Sequence, residues 1–301
     1  MPQLNPIILP PDCNYFAIFL TLDCPLACPY CINHHISPAR RRKTLPASIW
    51  IPAINRVTPR EDLPVTLQGG EPGVYPDFLE LINGIREDMP IDILTNLQFD
   101  LDGFIRAVRP ERLRRKSPYA SIRVSYHPGQ VDPVEFLDNV RRLQNLGYHI
   151  GVWAVEHPAF ASEVAEIKGL AAERGIDFRT KEFLGYHDGK LYGTYRWKDS
   201  CAGKATGETV QCRTTELIID PAGAVYRCHS DLYAAREPVG DLLYPDFRPD
   251  FRYRDCNCYG LCNPCDVKVK TNRFQVFGHT SVDIRFRDRR DGDKHDESPK
   301  S

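Results

Sequence analysis

Three cysteines near the start of the chain have a spacing suited to an iron–sulfur cluster. Cys24, Cys28 and Cys31 form a Cys-x3-Cys-x2-Cys segment directly after an apolar run. Three thiolates on one tight loop can hold three irons of a 4Fe–4S cube and leave the fourth iron open, whereas most such clusters take four cysteines. Zinc is the alternative metal, with His34 or His35 as the additional ligand.

The other cysteines are concentrated near the opposite end of the chain. After a long cysteine-free body, seven follow at Cys201, Cys212, Cys228, Cys256, Cys258, Cys262 and Cys265. Because the chain has 11 cysteines, they cannot all pair as disulfides, and no secretory signal precedes them. We therefore expect a reducing, cytoplasmic compartment in which these clusters bind metal. Cys13, which lies before the first strand, is predicted to be a small buried apolar residue.

Composition excludes several classes of protein. The formal net charge of -1 argues against a general nucleic-acid-binding protein, which would carry a basic excess. No segment approaches the roughly 18 apolar residues of a transmembrane helix, so no membrane association is expected. Residues 287–301 are charged and lack apolar side chains, which predicts a disordered tail.

The body between the two cysteine groups alternates strand and helix patterns. Apolar runs predict strands at 15–22, 64–67, 91–94, 121–126, 148–155 and 176–183. Helical periodicity predicts helices at 45–56, 76–87, 101–108, 133–146 and 162–174. This alternation predicts an α/β fold with parallel strands. Six repeats fit a partial (β/α)6 TIM-like barrel or a doubly wound sheet, since a full barrel needs about 250 residues.

The polar candidates follow the ends of these predicted strands. In chain order they are Cys24, Gly69-Gly70-Glu71, Thr95-Asn96, Ser125 with His127, and Glu156-His157. Carboxyl ends of parallel strands meet at one edge of a sheet, so these residues are expected to share one site.

The pattern changes after about residue 184. Segments 216–220 and 224–228 predict a β-hairpin with its turn at Gly223, and a short cysteine-dense loop follows at 256–265. We therefore divide the chain into a barrel at 1–183, a small cysteine-rich hairpin and loop domain at 184–286, and the tail at 287–301.

Two further features, added to the front cysteines, resemble the radical SAM enzyme superfamily. Tyr30, an aromatic residue, immediately precedes the third cysteine, and Gln68-Gly69-Gly70-Glu71-Pro72 closes the second predicted strand. The resemblance covers residues 13–183 and implies the partial barrel. It also implies a 4Fe–4S cluster on the three front cysteines, with S-adenosylmethionine (SAM) chelating the open iron.

The same resemblance implies roles for the strand-end residues. Gly69 and Gly70 would let the backbone approach the methionyl part of SAM, and Glu71 would face its ammonium group. It also implies that five other residues contact the rest of SAM or the substrate: Tyr30, Thr95, Asn96, Ser125 and Glu156. Ordinary strand-end capping, or a solvated carboxylate for Glu156, is the alternative.

The rear cysteines resemble the auxiliary-cluster region called SPASM, or its shorter form, twitch. The resemblance lies in the Cys212-x10-Gly223-x4-Cys228 spacing, but the following cysteines are too few for two clusters. It implies one auxiliary 4Fe–4S cluster on Cys212, Cys228, Cys262 and Cys265, with Cys201, Cys256 and Cys258 as alternates. A structural zinc site is the competing interpretation. If Cys201 is not a ligand, its thiol could donate a hydrogen atom to a substrate radical.

The function implied by the resemblance is reductive cleavage of SAM to a 5′-deoxyadenosyl radical, which abstracts hydrogen from a substrate carbon. An electron donor such as flavodoxin or ferredoxin is implied. The substrate could be a peptide, or a sugar or other small metabolite that is oxidised or epimerised. Because the first predicted strand begins near residue 15, we do not expect the N-terminal peptide-binding domain of many peptide-modifying members, which makes a sugar or small metabolite comparably favoured as substrate. The competing hypothesis is a non-enzymatic zinc- or iron–sulfur-binding interaction protein.

Overall fold

Six parallel strands form the centre of the structure. The computed structural model describes residues 4–32, 36–117, 119–270 and 280–287. The strands are β1 (Tyr15–Thr21), β2 (Val65–Gly69), β3 (Ile91–Thr95), β4 (Ile122–Tyr126), β5 (Ile150–Glu156) and β6 (Phe178–Glu182). Each pairs in parallel with the next one in sequence. The predicted α/β fold with a partial parallel barrel is confirmed; the sheet formed by the described residues is open at both edges.

Helices cross from each strand to the next. They are α1 (Pro38–Arg41), α2 (Ala47–Asn55), α3 (Phe78–Gly84), α4 (Leu101–Ala107), α5 (Pro133–Asn145) and α6 (Ala161–Glu173). Helix α3 ends earlier than its periodicity predicts because Ile85 adopts an extended conformation. Helix α3 packs closely against α2 at Gly84, since a Cβ at that position would lie 2.3 Å from the Ile51 side chain of α2.

The two faces of the sheet have different surroundings because strand side chains alternate. Ile91 and Ile93 of β3 belong to the buried core that also contains Leu81 of α3. Asp92, between them, faces the opposite side and lines a cavity together with Arg123 of β4. The apolar core therefore lies between sheet and helices, and the concave face is polar.

The second half of the chain adds short elements. They are β7 (Gly185–His187), β8 (Lys190–Tyr192), β9 (Val210–Thr214), β10 (Glu216–Ile219), β11 (Ala224–Tyr226), α7 (His229–Ala234), β12 (Gly240–Asp241), β13 (Arg254–Cys256), α8 (Pro264–Val267) and β14 (Val282–Phe286). The predicted hairpin is present as β10 and β11, and Gly223 in its turn has φ of +92°.

This hairpin extends the central sheet. Strand β10 pairs in parallel with β1, with Tyr15 opposite Glu216 and Ile18 opposite Ile219. The nine-stranded order is therefore β12-β11-β10-β1-β2-β3-β4-β5-β6. The domain boundary at residue 184 stays a prediction, and the sheet is continuous across it.

No helix in the described ranges is long and apolar enough to cross a membrane. The predicted tail at 287–301 lies outside the described residues except for Arg287, which forms an ion pair with Asp255.

A buried carboxylate joins two arginines on the concave face. Asp92 contacts Arg115 at 2.5 Å and Arg123 at 3.0 Å, and the Asp92 and Arg115 side chains are only 2% and 5% exposed. Removing one member of a buried ion group leaves its partners charged and unpaired in a poorly solvated place.

We expect Asp92→Ala to lower the free energy of unfolding by about 3–5 kcal/mol, because two arginines lose their shared counter-charge. Asp102→Ala is the matched control, since Asp102 pairs with Arg142 at 2.5 Å on the surface, where both side chains are about half exposed. The control should cost less than about 1 kcal/mol. Urea denaturation of the three proteins measures the difference; equal losses would contradict the expectation.

Candidate functional site

The front cysteines lie on one loop at the carboxyl end of β1. Cys28 is buried and Cys24 and Cys31 are half-buried. The Cys31 amide donates to the Cys28 carbonyl at 3.0 Å, which closes a tight turn. Burial, followed by the neighbouring Cys31 and Cys24 thiols, raises the pKa of Cys28 to about 11. His34 and His35, the alternative ligands, are outside the described residues.

The two glycines after β2 allow the front loop to approach. Gly69 has φ of +147°, and a Cβ there would lie 1.9 Å from the Thr21 carbonyl oxygen. A Cβ on Gly70 would lie 2.1 Å from the Asp23 carbonyl oxygen. The Gly70 and Glu71 amides donate to Thr21 and Asp23 at 2.9 and 2.8 Å. Backbone packing beside Cys24 thus requires both glycines, independently of any role in binding SAM.

Glu71 is fully buried, and its carboxylate joins the ends of β2 and β3. One oxygen accepts from the Thr95 hydroxyl at 2.6 Å and from the Gly73 amide at 2.9 Å. The other accepts from the Asn96 amide at 2.6 Å. Burial raises the pKa of Glu71 to about 7, while these donors oppose that rise. We call Glu71, Gly73, Thr95 and Asn96 the Glu71 network.

The network extends to a front cysteine. The Asn96 side-chain nitrogen lies 3.3 Å from Cys24 Sγ, and its Oδ1 accepts from the Gln98 amide at 2.9 Å. The Thr95 hydroxyl also accepts from the Leu97 amide at 2.9 Å. The side chains of Glu71, Thr95 and Asn96 are therefore engaged within the protein, and their direct contact with SAM stays a prediction.

Tyr30 connects the front loop to the ends of β4 and β5. Its hydroxyl lies 3.2 Å from His127 Nδ1. Burial lowers the pKa of His127 to about 4, so the neutral ring can accept this hydrogen bond. The Tyr30 ring stacks on His157 with centroids 5.3 Å apart and meets Phe160 edge-on. These aromatic rings and the segment 183–187 line a cavity of about 470 Å³.

Two further candidates lie near this aromatic group without joining it. Ser125 is half-buried on β4, on the concave face that also carries Arg123. Glu156 is the last residue of β5, and its side chain is exposed. It does not line this cavity or either of the two cavities described in the following paragraphs. Their cofactor contacts stay predictions.

Most rear cysteines converge on one small cavity, which we call the rear cysteine cavity. It is lined by five cysteines and two arginines: Cys212, Cys228, Cys256, Cys258, Cys262, Arg227 and Arg236. Antiparallel pairing of β9 with β13 places Cys212 opposite Arg254 and Cys256 opposite Val210, so the two cysteines are diagonal neighbours on one face. A hydrogen bond between these thiols raises the pKa of Cys212 and lowers that of Cys256 to about 6. Arg227 also favours their ionised forms.

The remaining two rear cysteines lie elsewhere. Cys265, predicted as a ligand, does not line the rear cysteine cavity but a larger one on the concave face of the sheet. Cys201, the predicted hydrogen-atom donor, is buried beside that rear cavity, with its thiol 3.5 Å from the Cys262 carbonyl oxygen. The spacing of the cysteines in the sequence does not show that Cys265 and Cys201 lie apart from the other five.

The larger cavity, which we call the barrel cavity, has a volume of about 580 Å³. It extends from Gln68 on β2 to Lys181 on β6 and is covered by Cys265, Lys268 and Lys270. Lys181 is the fourth residue of β6. No sequence pattern identified Lys268 and Lys270 as cavity residues, because they reach the barrel cavity only where the chain crosses back over the sheet.

Comparisons with known proteins agree with this geometry. A family described as a 4Fe-4S single cluster domain matches residues 15–109. PqqA peptide cyclase from Gluconobacter oxydans is 33% identical over 78 residues, which are 26% of this chain and 21% of that protein. PqqA peptide cyclase from Ruegeria pomeroyi is 38% identical over 68 residues, 23% of this chain and 18% of that protein. The matches thus span about a fifth of these curated relatives.

Solved structures give a longer match at lower identity. Streptococcus suis SuiB bound to S-adenosylmethionine has a TM-score of 0.53 and 15% identity, and the match covers 80% of this chain and 64% of that one. The anSMEcpe structure with bound AdoMet and Cp18Cys peptide has a TM-score of 0.50 and 13% identity, covering 79% and 78%. The fold is therefore a partial barrel of the type found in these SAM-bound proteins.

The cysteine loop, the iron–sulfur family match and the curated relatives agree with that fold. The iron–sulfur match over residues 15–109 contains this loop and agrees with the resemblance to the radical SAM superfamily.

We expect Gly70→Ala to prevent assembly of a cluster on the front loop, because its methyl group would collide with the Asp23 carbonyl. Gly169→Ala on α6 is the matched control, since nothing lies within 4 Å of a Cβ at that position. Iron and sulfide per chain after anaerobic reconstitution measure the effect. Gly70→Ala should lose about four irons and the control none; full iron in Gly70→Ala would contradict the packing argument.

Proposed function

We propose that this chain is a radical SAM enzyme that acts on a peptide or a small metabolite. The observation that carries the proposal is the three-cysteine loop, which the Glu71 network holds at the carboxyl edge of a parallel sheet beside an aromatic-lined cavity. Functional groups of such sheets lie at this edge.

The donor set of the front loop fits an iron–sulfur cluster. Iron prefers thiolate ligands, and burial raises the pKa of both Cys24 and Cys28, so free thiolates there are costly. Bound iron replaces the thiol protons and removes that cost. The Asn96 side-chain amide would then donate to the Cys24 sulfur, a contact that influences the reduction potential of iron–sulfur clusters.

Cys24, Cys28 and Cys31 would hold the cluster, which would supply the electron for reductive cleavage of SAM and so allow hydrogen abstraction from a substrate carbon. The protein must orient SAM and exclude water. Tyr30, His157 and Phe160 offer flat surfaces suited to stacking on adenine. The Tyr30–His127 hydrogen bond would fix the orientation of the Tyr30 ring.

We further propose one auxiliary 4Fe–4S cluster in the rear cysteine cavity, as expected for a twitch-like region. The placement of the thiols supports Cys212, Cys228, Cys256 and Cys262 as ligands, with Cys258 as the alternate. Cys256 thus replaces Cys265 in the set expected from sequence. Cys265, which faces the barrel cavity, becomes a better candidate than Cys201 for a thiol that meets substrate.

Relatives supply the argument for substrate class. Two are named PqqA peptide cyclase, and a further SuiB structure, with a TM-score of 0.52 and 17% identity, holds the precursor peptide SuiA. These names favour a peptide substrate over a sugar. The electron donor would be a flavodoxin or ferredoxin.

Anaerobic reconstitution tests the function. Wild-type protein should bind about eight irons and form 5′-deoxyadenosine from SAM with dithionite, since two four-iron clusters are proposed. Cys28→Ala should lose about four irons and all 5′-deoxyadenosine. Cys13→Ala, a buried cysteine before β1, is the control and should retain both. A colourless, zinc-loaded wild type that leaves SAM intact would support the interaction-protein hypothesis instead.

The rear ligands can be tested separately. We expect Cys256→Ala to lose about four irons while the front cluster still cleaves SAM, because Cys256 lines the rear cysteine cavity. Cys265→Ala should keep all its iron, since its thiol faces the barrel cavity. Electron paramagnetic resonance of the reduced proteins assigns the lost signal; the opposite pattern would restore Cys265 as a ligand.

A further inference from the structure

The barrel cavity is lined by more positive than negative side chains. Five lining residues are cationic and three are acidic: Arg123, Arg179, Lys181, Lys268 and Lys270 against Asp92, Glu182 and Glu216. The whole chain has a formal net charge of -1, so the positive excess is local. Such an excess within a concave site attracts anions.

Some of these charges are already paired. Glu216 contacts Lys270 at 2.8 Å, and that carboxylate is 3% exposed. Arg179 contacts Asp177 at 2.9 Å outside the cavity. Arg123 belongs to the Asp92 ion group. Each of these three cations therefore already has a carboxylate partner.

Lys181 and Lys268 differ from the others. Within the part of the chain that the structure describes, neither ammonium lies within 4.0 Å of a carboxylate oxygen, and Lys181 does not pair with its neighbour Glu182. Lys181 instead lies 5.9 Å from the centre of the Trp153 ring. Desolvation, followed by repulsion from Arg123 and Lys268, lowers the pKa of Lys181 to about 8.

The ammonium groups of Lys181 and Lys268 line one cavity and repel each other. An anion bound between them would offset this repulsion. Trp153, beside Lys181, offers a flat apolar surface against which the uncharged part of such a ligand could pack.

Part of the barrel cavity lies toward the carboxyl edge of the sheet. Gln68, near the end of β2, and Lys181, near the end of β6, both line it. The front cysteine loop follows the carboxyl end of β1, at the same edge of this parallel sheet. A molecule that reached Lys181 would therefore lie toward the edge where the proposed front cluster forms.

We propose that Lys181 and Lys268 bind an anionic group of the substrate, a carboxylate or a phosphate, within the barrel cavity. Naming this ligand as the substrate rests on the proposed function; the anion site itself follows from charge and geometry alone. The interaction positions the substrate and includes no covalent step.

Equilibrium dialysis of the anaerobic holoprotein tests the site, with radiolabelled malonate and inorganic phosphate as separate probes. Lys181→Gln and Lys268→Gln should each weaken binding of the preferred probe at least tenfold, because each removes a charge-assisted hydrogen bond. Lys168→Gln is the matched control, since this lysine is exposed on α6, and its Kd should stay within about twofold of wild type. The tighter of the two probes identifies carboxylate or phosphate as the group recognised.

Unchanged binding in both cavity variants, or no binding of either probe to wild type up to roughly 10 mM, would overturn the proposal. Thermal unfolding confirms that each variant is folded. The same preparations are assayed for 5′-deoxyadenosine. Lysine-dependent anion binding without SAM cleavage would support the anion site and refute the proposed function, whereas SAM cleavage without such binding would refute the anion site alone.

Discussion

The geometry of the front loop depends on one buried carboxylate. Glu71 accepts three hydrogen bonds from the ends of two elements, and its own amide donates to the Asp23 carbonyl of the front loop. A buried, unpartnered carboxylate would be costly, so the fold can retain Glu71 only while these donors stay in place. Asn96 then extends the same network to the Cys24 sulfur. The position of a proposed cluster ligand is thus determined by contacts among strand ends.

The rear cysteines depend on a different constraint, the antiparallel pairing of three short strands. Strand β9 lies between β13 and β14, and its Cys212 is a diagonal neighbour of Cys256 on β13. Helix α8 then carries Cys265 to the opposite side, where it covers the barrel cavity. One short cysteine-dense segment therefore contributes to two separate sites. The rear region is both a proposed metal site and part of the wall of the barrel cavity.

Sequence patterns predicted the elements better than the side-chain contacts. Apolar runs and alternating patterns located all six strands of the barrel, since β1 is buried almost throughout and β4 alternates between buried and half-buried residues. The pattern Gly69-Gly70-Glu71 was interpreted as a SAM contact, yet the structure gives each residue a reason in local packing. Strand-end capping, the alternative weighed for Thr95 and Asn96, describes their observed hydrogen bonds.

The contacts that sequence did not predict join residues far apart in the chain. Cys256 and Cys265 belong to the same dense run, and their separation into two cavities follows only from the strand pairing and helix that flank them. Lys268 lines the same cavity as Lys181 for the same reason. No spacing rule relates such positions, because the intervening chain is irregular.

The pairing of β10 with β1 has a consequence for synthesis on the ribosome. These strands are about 200 residues apart in sequence, so β1 is completed long before its neighbour exists. Until then β1 forms an unpaired edge beside β2, with open backbone donors and acceptors and an apolar sequence. Such edges pair readily with other chains. The nascent half-barrel is therefore most prone to aggregation before Glu216–Ile219 emerges, and chaperones that cover exposed strands would act during that interval.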